Sequence, residues 1–72
     1  MNKQKIYRII QHIRSLGKLP TDQWGEVLNA DDLIVWFHLD ELLNEQEQHL
    51  IKAELTDLID AELFMEQFRL KN

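Results

Sequence analysis

The chain has 72 residues, with 13 Asp and Glu against 8 Lys and Arg for a formal charge of −5, no cysteine, two glycines and one proline. A length this short bounds one domain at most, residues 1–72. Without cysteine there is no disulfide framework, thiolate zinc site or thiol nucleophile, and two glycines cannot write a dinucleotide fingerprint or a phosphate loop.

Residues 3–16 read as an amphipathic helix. Ile6, Ile9, Ile10, Ile13 and Leu16 recur at spacings of three and four, which aligns them on one stripe. Lys5, Arg8 and His12 lie roughly opposite, with Tyr7, Gln11 and Arg14 on the flanks. Gly17 stands where a left-handed C-terminal cap is wanted, and Pro20 prevents continuation.

Residues 18–30 are the punctuated stretch. Thr21 or Asp22 can cap a short helix over about 21–28 with Trp24, Val27 and Leu28 on its apolar side, ended by Asn29. Gly25 costs roughly 1 kcal/mol relative to Ala inside a helix, so one or two turns are expected.

Residues 31–43 combine strand-favouring and helix-favouring signals. Leu33 to Leu39 is rich in β-branched and aromatic residues. Asp31 and Asp32 suit a helix start, and Leu39, Leu42 and Leu43 extend the pattern at helical spacing. A lone strand has nothing to pair with, so the segment is expected to be a helix, buried on nearly every side as the middle rod of the fold.

Residues 45–70 carry the longest helical pattern. Asn44 and Glu47 have the spacing of a capping box. Leu50, Ile51, Leu55, Leu58 and Ile59 hold one face, and then the phase slips. Glu62, Glu66 and Arg69 continue that stripe, while Ala61, Phe64, Met65 and Phe68 lie about a quarter turn away. Either a new helix starts at Thr56, or one long helix meets different partners along its length. In the second case Phe64 and Phe68 belong to a neighbouring subunit or to the rim of the same core. The expected fold is an all-α bundle of three or four helices, packed tightly or completed by a second copy of the chain, since so small a domain has a marginal core.

Charge is segregated. Residues 1–18 hold Lys3, Lys5, Arg8, Arg14 and Lys18 and no acid, and all 13 acids lie beyond them. The plain reading is that the basic helix neutralises its acidic neighbours. Two functional readings compete with it. In the first, a non-catalytic regulatory or inhibitory protein meets a protein partner with a basic surface, steered by charge. Its candidate contacts are Trp24, Asp57, Asp60, Phe64 and Phe68, with Trp24 the best placed exposed anchor. In the second, the first helix contacts nucleic acid through Lys5, Arg8 and Arg14, which the net charge opposes. A helix-turn-helix over 21–43 would aim Asp31, Asp32, Asp40 and Glu41 at phosphates.

Catalytic signals are weak. His38 with Glu41 and His49 with Glu45 share helical faces, but spacing places no third metal ligand. Within the apolar run, His38 reads most simply as a core histidine. Glu54, Asp57 and Asp60 fall on a polar face, and Ser15, Thr21, Thr56 and Tyr7 lie in no activating motif. No enzyme activity and no cofactor are expected. The longest apolar run, Leu33 to Phe37, is five residues against about 20 for a membrane span, and the N-terminus lacks a secretory h-region. The expected location is therefore cytoplasmic.

Overall fold

A computed structural model describes the backbone over residues 3–70 and the side chains over residues 3–68. Helix α1 runs Lys3–Ser15 and buries Ile6, Ile10 and Ile13. Its end is tied by Leu16 and Gly17 N–H groups, which donate to the carbonyls of Ile13 and Arg14 at 3.1 and 3.2 Å. Gly17 takes φ +92°, the left-handed cap conformation that an L side chain resists.

The short helix expected over 21–28 is absent. Thr21 and Val27 instead form an isolated antiparallel bridge. Asp22 N–H donates to the Glu26 carbonyl at 2.8 Å, and Gly25 N–H returns to the Asp22 carbonyl at 3.1 Å. Gly25 has φ +82°, so the three residues between Asp22 and Glu26 form the hairpin loop that ends in a left-handed residue. Gly25 thus closes a turn rather than weakening a helix. Asn29 also has the opposite role to the one expected, because its Oδ1 accepts the Asp32 N–H at 2.8 Å and starts the next helix.

Residues 31–43 are helical but not one helix. Helix α2 spans Ala30–Trp36 and helix α3 spans Leu39–Leu42. Between them His38 adopts φ +58°, and its N–H donates to the Val35 carbonyl at 3.1 Å. The segment is not a rod buried on every side. Leu33, Ile34, Leu39 and Leu43 are buried, while Val35, Trp36 and His38 face solvent. His38 is no core histidine; its Nδ1 stands 3.9 Å from Glu41 on an exposed edge.

Helix α4 is continuous from Glu45 to Leu70. The capping box forms as its sequence asks: Asn44 N–H donates to Glu47 Oε1 at 3.0 Å, and Glu47 N–H to Asn44 Oδ1 at 2.8 Å. Thr56 starts no new helix. Its hydroxyl donates to the Lys52 carbonyl one turn back, at 2.9 Å, and stays inside the ladder.

The central element is α4, and both α1 and α2 pack on it. Lys5 faces Glu47, Ile13 shares a groove with Leu58, and Leu19 meets Glu62, so α1 runs parallel to α4. Asp31 pairs with Lys52 at 3.1 Å while Ile34 shares a groove with Glu45, so α2 runs antiparallel. Ile51, Leu55 and Leu33 are fully enclosed between them. Packing ends near Ile59 and Glu62, yet the helix continues, and the molecule measures 43 × 24 × 18 Å.

Candidate functional site

Tyr7, Leu16, Val35, Trp36 and Leu42 are exposed singly or in pairs on the bundle, and two further exposed apolar features concern the candidate contacts. The first is Trp24 at the hairpin tip. One carboxylate oxygen, Asp22 Oδ1, accepts both the Trp24 N–H at 2.8 Å and the Glu26 N–H at 2.9 Å. Leu28 N–H donates to the Pro20 carbonyl at 3.2 Å and closes the base of the loop. The loop is therefore fixed by its own hydrogen bonds, and the indole is 76% exposed. A large aromatic on a loop whose backbone is already ordered costs little backbone freedom when a partner covers it. Around it, residues 19–51 contain eight acids and no Lys or Arg.

The second feature is the distal third of α4. Phe64, Met65 and Phe68 are 58%, 57% and 59% exposed, and the two phenyl rings pack on each other with centroids 5.4 Å apart. They do not cover the rim of the core, which was one of the two roles expected of them. Asp57 and Asp60 are exposed on the same helix and form no ion pair among the described residues. Trp24 and the Phe64–Phe68 pair lie on different elements, so the five candidate contact residues do not belong to a single stretch of the fold.

The phase slip in α4 has a local cause. Glu62 stands at a core-facing position because its Oε1 accepts the Leu19 N–H at 3.2 Å and so holds the segment after α1. Its other oxygen is buried and has no hydrogen-bond partner among the described residues. Arg14 and Lys18 line the same groove, whose volume is about 260 Å³. A second groove of about 590 Å³ lies between α1 and α4, with Tyr7, Ile10, Leu50 and Ala53 as its apolar floor and Lys3, Arg14 and Glu54 at its edges.

Comparison with protein-family models, with curated proteins and with solved structures finds no match. What the surfaces can do therefore rests on their own chemistry.

The basic first helix is only partly neutralised. Lys5 Nζ donates to the Leu42 carbonyl at 3.0 Å and stands 3.7 Å from Glu47 Oε2, so it clasps α1 to the turn between α3 and α4. That inward commitment separates it from Arg8 and Arg14, the other two candidate phosphate contacts. Lys3, Arg8, Arg14 and Lys18 make no ion pair among the described residues. His12, His38 and His49 are exposed. Among the described residues no group of three or more His, Asp or Glu side chains could hold a metal ion. Among them, too, no helix is long and apolar enough to cross a membrane.

Sequence reasoning passed over Asp22 as the organiser of the Trp24 loop and Glu62 as an anchor. The first had a visible signal, since Asp22 and Gly25 stand three apart between Thr21 and Val27, both acceptable bridge residues. The second had none, because Leu19 is distant in sequence.

Proposed function

We propose that the chain is a non-catalytic regulatory or inhibitory binding protein that engages a basic protein surface through Trp24. The observation that carries this reading is the exposed Trp24 on a hydrogen-bonded loop, within a stretch that holds eight acids and no Lys or Arg. The indole supplies buried area and the carboxylates steer encounter, so complex formation slows steeply as salt is added. Bound in this way, the protein acts by covering its partner.

The test is capture from a native lysate at low and high salt, with wild-type, Trp24→Ala and Asp22→Ala chains compared by mass spectrometry. Trp24→Ala should keep the helical circular dichroism and lose the partner. Asp22→Ala keeps the indole but frees the loop, and should weaken capture less. Equal capture by wild type and Trp24→Ala, or capture indifferent to salt, removes the reading.

The unpaired cations of α1 favour one other reading, a nucleic-acid-associated factor that uses Arg8 and Arg14. Retention on heparin or DNA that vanishes in Arg8→Glu/Arg14→Glu would replace the first reading with this one.

A further inference from the structure

The chain exposes more surface than its mass requires. A compact monomer of 8.7 kDa has about 4700 Å² of accessible surface, whereas this chain has 5735 Å². The excess, on the order of 1000 Å², is close to the roughly 800 Å² that each partner buries in a standard stable interface. Its radius of gyration, 12.8 Å, also exceeds the roughly 11 Å of a compact chain of this length. The distal third of α4, where Leu63, Phe64, Met65 and Phe68 are all exposed, contributes to this surface.

The exposed aromatics continue an existing seam. Leu50, Glu54, Asp57, Ala61, Phe64 and Phe68 follow one another at spacings of four and three, the repeat that keeps one side of a helix against a partner helix. The proximal half of the seam forms the wall of the larger groove beside α1, with Leu50 and Ala53 in its floor. The distal half is the apolar overhang. Charge on this side is divided between the elements, with Lys3, Arg14 and Lys18 on or after α1 and Glu54 and Asp57 on α4.

We infer that this side of the molecule is an isologous interface between two copies of the chain, with the two α4 helices antiparallel and each Phe64–Phe68 pair seated on the α1–α4 groove of the other copy. Contact between the two overhangs alone would involve about two turns from each chain, too few for a standard interface. The longer overlap brings Phe68 of one copy over Leu50 of the other. The same register sets Ala61 opposite Asp57 of the second copy. Arg14 shares a groove with Ala61, so Arg14 of each chain then faces Asp57 of the other. By the same count Met65, which shares that groove with Lys18, stands opposite Ala53, so Lys18 lies one residue from Glu54 of the other copy. The cations and carboxylates that find no ion-pair partner among the described residues find them across the two-fold axis, and the symmetry makes each pairing occur twice.

Sedimentation equilibrium over a concentration series tests this. Wild type is expected to be a dimer at concentrations on the order of 100 µM. Phe64→Ser/Phe68→Ser should be monomeric with its helical circular dichroism intact. Arg14→Glu should weaken the dimer roughly tenfold, because the reversal acts at two symmetric sites, and Arg14→Glu with Asp57→Arg should restore it. A wild-type chain that stays monomeric overturns the proposal and leaves the face to a different protein. A dimer unaffected by Phe64→Ser/Phe68→Ser, or an Arg14→Glu defect that Asp57→Arg does not relieve, also overturns it. Trp24→Ala leaves the dimer unchanged, so this result is independent of the partner capture described above.

Discussion

Gly17 and His38 occupy the same position in the same motif. Each follows a helix by two residues, has a positive φ, and sends its N–H back three residues, to Arg14 in one case and Val35 in the other. Glycine adopts that backbone freely, while a residue with a Cβ does so at a cost of about 1 kcal/mol. His38→Gly is therefore expected to raise stability by roughly 0.5 kcal/mol and His38→Val to lower it by about 1–2 kcal/mol, as read from urea midpoints. The same comparison explains what could be read in advance. A glycine after residues 3–16 announces the end of that helix. A histidine inside an apolar run announces nothing, so residues 31–43 read as one rod. Glu47 is legible for the opposite reason, since its partner Asn44 is three residues away. It is buried, it completes the capping box and it faces Lys5, so Glu47→Ala should cost about 1–3 kcal/mol in the same assay.

Along α4 a single element changes its task. Up to Ile59 it is the spine of the core, at Glu62 it holds the Leu19 segment, and from Leu63 to Phe68 its side chains are exposed. Leu55→Ala should therefore cost about 2–5 kcal/mol, because Leu55 is fully enclosed and a cavity would remain. Phe64→Ser, only nine residues further on, should change the stability of dilute protein by no more than about 0.5 kcal/mol. Chemical denaturation at low protein concentration separates the two. Hydrophobic periodicity located the core-facing half of this helix because apolar spacing directly reflects burial. It also registered the change of phase. Continuity could not be read from it, because a fresh N-cap at Thr56 and a hydroxyl bonded back to Lys52 look identical in a sequence. The hairpin was misread for a related reason. Trp24, Val27 and Leu28 fit a helical face, and only the hydrogen-bonding of Asp22 decides against it.

For the molecule as a whole, the parallel arrangement of α1 and α4 puts the basic and acidic parts of the chain side by side, with a single described ion pair, Lys5 with Glu47, between those two helices. The all-α class followed from composition and periodicity, whereas the uncovered surfaces depend on where packing stops, which no local pattern states. If two chains share the seam of α4, stability depends on mass action, because unfolded chains are monomeric. The thermal midpoint should then rise with protein concentration for wild type and stay flat for Phe64→Ser/Phe68→Ser, as a dilution series by calorimetry would show.

Both tryptophans, Trp24 and Trp36, already stand in solvent in the folded chain. Indole emission should consequently change little in wavelength when the protein is denatured, although the far-ultraviolet helical signal collapses. The reporter that is blind to unfolding becomes sensitive to complex formation: a blue shift on mixing with a candidate ligand, lost in Trp24→Ala and kept in Trp36→Phe, would locate the contact at the hairpin without any label.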